Sequence, residues 1–130
     1  MVVFLTDQYM KKVNRVRKAQ EFQKLIKTGR KLANSSFVFY YLPRKENAAR
    51  VGITLSGKIG NAVERNLIKR QTRMMCEELI SFAEYPFDVI LIIRFGYKNL
   101  SYAANKKNLE KLLDKATIDK RIFNKENRSK

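Results

Sequence analysis

The sequence predicts a single α+β domain. Three stretches carry apolar residues at helical spacing, and runs of β-branched and aromatic residues separate them. No internal repeat and no long linker divides the chain, and 45% of its 130 residues are hydrophobic, which is enough for one core. These observations favour a small globular domain in which helices pack on a sheet.

The N-terminal half is predicted to contain one helix and at least two strands. Apolar residues at helical spacing indicate a helix over Lys18–Thr28, and Gly29 suits the position after its C-terminus. The unbroken β-branched and aromatic run Phe37–Leu42 predicts a strand, and the alternating segment Arg50–Leu55 predicts another. The pattern allows a further short strand between residues 29 and 37 without requiring it.

A long amphipathic helix is predicted from about residue 62 to residue 82. On a helical wheel at about 100° per residue, its basic and amide side chains share one sector: Arg65, Asn66, Lys69, Arg70 and Arg73. The complementary sector is predicted to face the core and holds Val63, Leu67, Met74, Met75, Leu79 and Phe82. Cys76 falls on the basic side, where we interpret it as an adventitious thiol, because no histidine exists to activate it.

The C-terminal third is predicted to hold a buried strand and a last helix. The run Val89–Ile93 is wholly apolar, as in a central strand buried on both faces. The last helix is predicted from its apolar stripe of Tyr102, Leu109, Leu112, Leu113 and Ala116. Periodicity ends there, so residues 117–130 are predicted to form a flexible basic tail and residues 1–9 an N-terminal extension, which leaves residues 10–116 as the domain.

The charge of the chain predicts a polyanionic partner. The formal net charge is +16, from 28 Lys and Arg against 12 Asp and Glu. Residues 11–31 hold nine basic residues and one acid, residues 58–73 hold five and one, and residues 106–130 hold nine and four. Basic clusters of this kind favour a nucleic acid over the competing partner, an anionic membrane surface.

The composition excludes several classes of protein. A single cysteine permits neither an intramolecular disulfide nor a cysteine-built zinc site, which favours a reducing cytoplasm. The absence of histidine excludes Ser-His-Asp and Cys-His catalysis and histidine-ligated metals. The longest apolar run near the N-terminus, Val2–Leu5, is too short for a signal peptide or a membrane span, so no membrane partner is expected.

The segment that leads into the long helix favours phosphate binding. Gly57 and Gly60 permit a tight turn, from which Lys58 and Asn61 project at the N-terminal end of the helix. Free backbone amides and the positive end of the helix dipole make this a ready anion site. A solvated amphipathic helix is the alternative interpretation, but only Glu64 offers a local partner for the cations.

Two parallel rows of polar residues follow along the helix. Spacings of four residues place Arg65, Lys69 and Arg73 in one row, and Asn66 and Arg70 in the other. Arginine suits RNA because its planar fork pairs with phosphate and stacks on bases. Asparagine adds a donor and an acceptor that can address a base edge or a 2′-hydroxyl.

The stretch from Arg50 to Arg73 closely resembles the signature of the bacterial ribonuclease P protein component. It reads RVGITLSGKIGNAVERNLIKRQTR, and the spacing of its Gly-Asn-Ala-Val-x-Arg-Asn-x-x-Lys-Arg core is long and specific. Residues 14–17 with 21–24 resemble that family's N-terminal helix, and Phe37–Tyr40 resembles its first long strand. In all, residues 10–115 follow the family pattern.

The resemblance implies a fold and two RNA-binding sites. The fold is α-β-β-β-α-β-α, a two-layer sandwich of a four-stranded sheet and packed helices, related to the second domain of a small-subunit ribosomal protein. The residues implied to contact the catalytic RNA subunit are Lys58, Asn61, Arg65, Asn66, Lys69, Arg70 and Arg73. The residues implied to line a cleft for the single-stranded 5′ leader of precursor tRNA are Phe22, Ile26, Val38 and Tyr40.

The sequence departs from the family pattern at two positions. Leu67 stands where the family usually has the last residue of an Arg-Asn-Arg triplet, and Ile26 stands where it often has an aromatic residue. Core packing and leader contact are equally favoured for Phe22, whereas core packing is favoured for Val38. A groove position is favoured for Tyr40, because its hydroxyl needs a partner.

The leading hypothesis is the protein subunit of an RNA-based endonuclease that matures tRNA 5′ ends. The resemblance implies that the RNA subunit and the substrate hold the magnesium ions and that a protein homo-oligomer is not required. An alternative is a ribosomal or RNA-chaperone protein without an enzyme partner. A protein-only metal nuclease is disfavoured, because the 12 acidic residues include no arrangement suited to a metal pair.

Overall fold

The computed structural model describes residues 15, 16 and 18–128, and for residues 119–128 it describes the backbone alone. The order of elements is the predicted α-β-β-β-α-β-α, and the short first strand is present. The elements are α1 (Ala19–Thr28), β1 (Arg30–Ala33), β2 (Phe37–Pro43), β3 (Val51–Leu55), α2 (Ala62–Leu79), β4 (Phe87–Ile93) and α3 (Tyr102–Arg128). The N-terminal extension predicted for residues 1–9 lies outside the described residues.

The four strands form one mixed sheet in the order β1-β2-β4-β3. The β1–β2 and β2–β4 pairs are antiparallel, and β3 pairs in parallel with β4. The parallel pair is joined through α2, as expected for a β-α-β unit, because parallel neighbours need a long crossover connection. The crossover places residues 56–61, which we call the signature loop, and α2 directly after β3, an edge strand of the sheet.

One face of the sheet forms the main core. Phe37, Phe39 and Tyr41 alternate along β2 and are at most 2% exposed. They share one buried cluster with residues of α2 and α3, including Met75 and Leu109. Removal of these apolar side chains from water is the dominant stabilising contribution to the fold.

The opposite face is covered in part by α1, so the helices lie on both sides of the sheet. Leu25 of α1 packs with Val16 and Ile90 in a second buried cluster. Next to this cluster, the Arg50 guanidinium pairs with Glu21 of α1 at 2.7 Å and with Asp88 of β4 at 3.2 Å. The fold class is confirmed, with partial cover of the second face that a two-layer description leaves out.

The predicted elements differ from the structure mainly at their ends. α2 ends at Leu79, before the predicted Phe82, because Ile80 adopts an extended conformation after its N–H bonds to Cys76. α3 continues as helix to Arg128, where a flexible tail was expected after residue 116. Loss of an apolar stripe removes the signal for burial, but Lys, Glu, Arg and Asn residues can still continue a helix. Within the described part of the chain, no helix is long and apolar enough to cross a membrane.

Candidate nucleic-acid interface

The N-terminus of α2 is fixed by two consecutive caps. The Ser56 hydroxyl accepts a hydrogen bond from the Lys58 N–H at 3.1 Å and starts a short 3-10 turn. Asn61 then caps α2: its Oδ1 accepts from the Glu64 N–H at 2.9 Å, and its own N–H donates to the Glu64 carboxylate at 3.2 Å. The Lys58 side chain is exposed beside these caps. Asn61, predicted as an RNA contact, therefore also has a structural role as the N-cap of α2.

Glu64 is occupied by partners other than the basic residues of α2. The Lys98 ammonium lies 3.1 Å from its carboxylate and also donates to the Ile59 carbonyl at 2.8 Å. The hydrogen bond from the Asn61 N–H and the nearby Lys98 ammonium hold the pKa of Glu64 below its ordinary value. Glu64, the local acid that could have paired with the cations of α2, therefore stabilises the first turn of the helix instead.

The basic and amide residues of α2 form the surface that we call the basic face: Arg65, Asn66, Lys69, Arg70 and Arg73. Asn66 is exposed and the four cations are half-buried. Arg65 lies against the loop before the helix, since a Cβ on Gly57 would be 3.0 Å from its Nη1. Within the described residues, Arg65, Lys69 and Arg70 make no ion pair. Their charges are therefore available to an external anion.

The apolar side of α2 differs from the predicted one. The residues buried in the core are Ile68, Thr72, Met75 and Cys76. Val63 and Leu67, predicted to face the core, are 78% and 52% exposed, and Met74 is half-buried. The prediction is confirmed for Met75, which is buried, and for Leu79 and Phe82, which pack against the main core.

The position of Thr72 explains part of the difference. Hydrophobicity alone does not predict its burial, which is accommodated because its hydroxyl donates to the Ile68 carbonyl at 2.8 Å.

Cys76 lies in the core and not on the basic side. It is fully buried, and burial raises the pKa of its thiol to about 12. A thiol with this pKa is protonated at neutral pH and is not a nucleophile. The predicted position of Cys76 on the basic side of the helix is therefore wrong, whereas its interpretation as an unreactive thiol agrees with its burial.

The space between α1 and the sheet contains an apolar groove. One row of residues across the four strands consists of Lys31, Tyr40, Ile90 and Gly52, and the next row consists of Ala33, Val38, Ile92 and Thr54. The Phe22 ring covers the first row, because a Cβ on Gly52 would lie 2.5 Å from its Cζ. In the second row Val38, Ile92 and Thr54 are half-buried, so α1 leaves them partly open.

Three of the four predicted cleft residues adjoin this groove, and the fourth, Ile26, lies one helical turn after Phe22 on α1. Phe22 and Tyr40 pack at the edge of the second cluster, Val38 lies in the open row, and Ile26 is 37% exposed on α1. We call the surface formed by Phe22, Ile26, Val38, Tyr40, Ile92 and Thr54 the sheet groove. Ile92 and Thr54 were not predicted as groove residues, because their place in the groove depends on the register between strands.

The basic face and the sheet groove meet at the β3 edge of the sheet. A cavity of about 250 Å³ there is lined by Phe22 and Gly52, and by Arg73 and Arg15 on its polar side. Arg73 is the last residue of the row that begins at Arg65 beside the signature loop. The two surfaces are therefore continuous, with cationic groups along one part and apolar and aromatic groups along the other.

The arrangement suits binding to a nucleic acid better than catalysis. Among residues whose side chains are described, no group of three or more His, Cys, Asp or Glu could hold a metal ion. Arginine forks match phosphate geometry, and half-exposed aromatic rings can stack on unpaired bases. The geometry therefore places a cationic helix face next to a partly open apolar surface with aromatic rings at its edge.

Comparisons with known sequences identify one family. The Ribonuclease P family profile matches residues 10–117. The chain is 41% identical over 117 residues to the ribonuclease P protein component of Bacillus velezensis, covering 89% of this chain and 100% of that protein. It is 42% identical over 101 residues to the component from Streptococcus agalactiae, covering 77% of this chain and 91% of that one.

Comparisons with solved structures agree. The chain is similar to a Staphylococcus aureus RNase P protein mutant with defective mRNA degradation activity, with a TM-score of 0.74 and 33% identity over 88% of this chain and 97% of that one. It is also similar to the RNase P protein from Thermotoga maritima, with a TM-score of 0.67 and 26% identity over 78% and 96% of the two chains. Both the sequence and the fold thus match one group of proteins.

Proposed function

The chain belongs to the ribonuclease P protein component family, and from this membership we propose that its basic face binds the catalytic RNA subunit and its sheet groove binds the 5′ leader of precursor tRNA. It is the protein subunit of ribonuclease P, the endoribonuclease that matures tRNA 5′ ends. The assignment of the two surfaces is supported by the continuity of the basic face and the sheet groove at Arg73.

Binding of the RNA subunit by α2 is supported by the absence of competing acids. Glu64 is held by Asn61 and Lys98, and Arg65 and Arg70 have no ion pair among the described residues. Each phosphate that these cations neutralise releases condensed counterions, so the affinity gained falls as salt rises. Lys58 and Asn61 at the helix N-terminus would extend the same contact.

Leader binding by the sheet groove is supported by its chemistry. A single strand presents unpaired bases, which stack on aromatic rings with little dependence on sequence. The half-buried rings of Phe22 and Tyr40 flank the open apolar row that contains Val38. Mature tRNA has no leader, so this groove would distinguish substrate from product.

Catalysis and magnesium binding are assigned to the RNA subunit and the substrate. This assignment is supported by the described side chains, among which no group of three or more His, Cys, Asp or Glu could hold a metal ion. Magnesium supplies charge neutralisation and an activated water in hydrolysis of a phosphodiester. The protein residues would raise substrate affinity and place positive charge beside the RNA, and one protein chain suffices for both roles. A cytoplasmic location is proposed because the chain has one cysteine and forms no intramolecular disulfide.

The leader assignment is tested by comparing precursor and mature tRNA. The holoenzyme is assembled from this chain and a bacterial ribonuclease P RNA, and both tRNAs are titrated at fixed salt. Phe22→Ala is expected to weaken precursor binding by about 1–3 kcal/mol, the usual loss for one stacked base, and to leave mature tRNA binding unchanged. Omission of the RNA subunit should abolish leader removal.

Phe22→Leu is the matched control for packing against Gly52. Leucine retains apolar volume over Gly52, so it should keep most of the stability while still losing the stacking contact. Equal loss of precursor and mature tRNA binding in both variants would reject the leader assignment. Cleavage by the protein alone would reject the assignment of catalysis to RNA.

A further inference from the structure

The edge strand β1 places one lysine beside the sheet groove. Lys31 lies directly opposite Tyr40 in the antiparallel pair of β1 and β2, so the two side chains share the face that carries α1. The Lys31 ammonium is 5.9 Å from the centre of the Tyr40 ring. This geometry is a cation–π contact, which restrains a side chain that would otherwise sample many rotamers.

Lys31 differs from Arg50, which lies on the same face of the sheet. Arg50 is 8% exposed and is neutralised by Glu21 and Asp88. Lys31 is exposed and makes no ion pair with any described residue. Its charge is therefore oriented by an aromatic ring and left available to an anion from outside the chain.

The position of Lys31 completes the groove at the end opposite to Arg73. The row Lys31–Tyr40–Ile90–Gly52 crosses all four strands, and Gly52 at its far end lines the cavity that contains Arg73. Three inter-strand spacings of about 4.8 Å separate the ends, or roughly 14 Å. The ends of this row thus each have a cation nearby, and the partly open row beside it, which contains Val38 and Ile92, offers an apolar floor to a single strand.

We propose that Lys31 is a phosphate-binding residue that holds the backbone of the precursor tRNA leader where it leaves the sheet groove over Tyr40. The inference rests on the proposed leader-binding function and adds one residue to it. Tyr40 positions the ammonium and stacks with a base, and Lys31 contacts the phosphate next to that base. The residue was not among the sequence-based candidates, because its position depends on the register of β1 with β2.

The test uses the holoenzyme and precursor tRNAs whose leaders increase in length from a single nucleotide. Lys31→Ala should weaken binding by about three- to tenfold for long leaders, and log K should fall less steeply with log salt, by about 0.7 for one phosphate on a single strand. The shortest leader and mature tRNA should bind as they do to the unmodified chain. Lys31→Arg should retain the affinity because the charge is kept.

Two controls separate the possible causes. Lys45→Ala removes the same charge from the exposed loop after β2 and should leave affinity for every leader unchanged. A lysine on an edge strand can instead serve only to prevent strand pairing between molecules. In that case Lys31→Ala would promote aggregation and leave leader binding unchanged, which would overturn the proposal.

The outcome also distinguishes failure of this inference from failure of the leader assignment. If Phe22→Leu loses affinity for long leaders and Lys31→Ala does not, the groove binds the leader and Lys31 takes no part. If neither variant shows an effect that depends on leader length, the leader lies elsewhere and both statements fail. Equal losses for Lys31→Ala and Lys45→Ala would mean that general attraction is the cause.

Discussion

The basic face and the sheet groove, the two proposed RNA-binding surfaces, are built in different ways. The basic face comes from one helix, and residues spaced four apart bring its cations together. The sheet groove needs α1, β2, β3 and β4, and its floor is set by register between strands distant in sequence. The basic face depends on charge and the sheet groove on packing. Single substitutions should therefore impair one surface without impairing the other.

Because of this difference, the two surfaces should respond differently when α1 is released from the sheet. α1 is held on the sheet by a small cluster around Leu25 and by the ion pairs of Arg50. α2 has its own capping box and packs with the main core. A change that releases α1 should therefore remove the sheet groove while the basic face persists.

Arg50→Met should produce the largest effect. The substitution leaves Asp88, which is 2% exposed, without its cationic partner, and removes the link to Glu21. Breaking a buried ion pair in this way typically costs about 3–5 kcal/mol. We expect a loss of this size in the free energy of unfolding, measured by urea titration. Under conditions in which Arg50→Met remains folded, the holoenzyme should no longer bind precursor tRNA more tightly than mature tRNA.

Glu21→Gln keeps the comparison informative if Arg50→Met does not fold. Glutamine can still accept a hydrogen bond from Arg50, and residue 21 lies nearer the surface, with 23% side-chain exposure. The expected loss of stability is smaller, but α1 should be less firmly held. If precursor preference survives in both variants, the ion pairs of Arg50 do not hold α1 on the sheet. If binding to the RNA subunit falls together with precursor preference, the proposed independence of the two surfaces is wrong.

Arg65→Ala and Arg70→Ala should give the next largest effect, on the other surface. Each is expected to weaken binding to the RNA subunit by about tenfold and to reduce the salt slope by up to about 0.9 for one phosphate contact. Because neither residue has an ion pair among the described side chains, thermal unfolding should change little. Binding like that of the unmodified chain across a salt series would show that α2 does not contact the RNA.

Asn61 tests whether capping and RNA contact coincide. Loss of an N-cap costs about 1 kcal/mol, so Asn61→Ala should lower the free energy of unfolding by that amount, and Asn61→Ser should not. If the amide also contacts RNA, both variants should lose affinity for the RNA subunit. Loss of affinity in Asn61→Ala alone would mean that the residue acts only through the helix end, where its Oδ1 accepts from Glu64.

Much of the fold was predictable because its signals are local. The β-branched and aromatic run Phe37–Leu42 and the wholly apolar run Val89–Ile93 identified two central strands, and the last helix followed from its apolar stripe. The rows of cations on α2 also depend only on helical spacing. By contrast, the pairing of Lys31 with Tyr40 and of Ile92 with Val38 depends on register, which one sequence does not determine without tertiary contacts.

The orientation of α2 shows where local pattern is insufficient. Thr72 is buried although it is polar, and Leu67 is exposed although it is strongly apolar. At about 100° per residue, Leu67 lies about 100° from Ile68 and about 140° from Thr72. The core face is set by what the sheet and α3 offer, and a buried threonine is accepted once its hydroxyl has a partner.

Leu67→Ala should have the smallest effect and tests this orientation directly. A side chain that is 52% exposed should contribute less than about 0.5 kcal/mol to stability. Met75→Ala, on the buried side of the same helix, is the matched control and should cost about 2–5 kcal/mol. A loss of that size for Leu67→Ala would place residue 67 in the core, as the wheel predicted.

Leu67→Arg extends the same test to function. Arginine is the residue that the family signature usually has here, and in this chain the position lies next to Asn66 on the exposed side of α2. One additional phosphate contact should steepen the salt dependence of RNA-subunit binding by up to about 0.9 without changing stability. An unchanged slope would limit the basic face to its present five residues, because a cation at position 67 would then be too far from the RNA phosphates to release counterions.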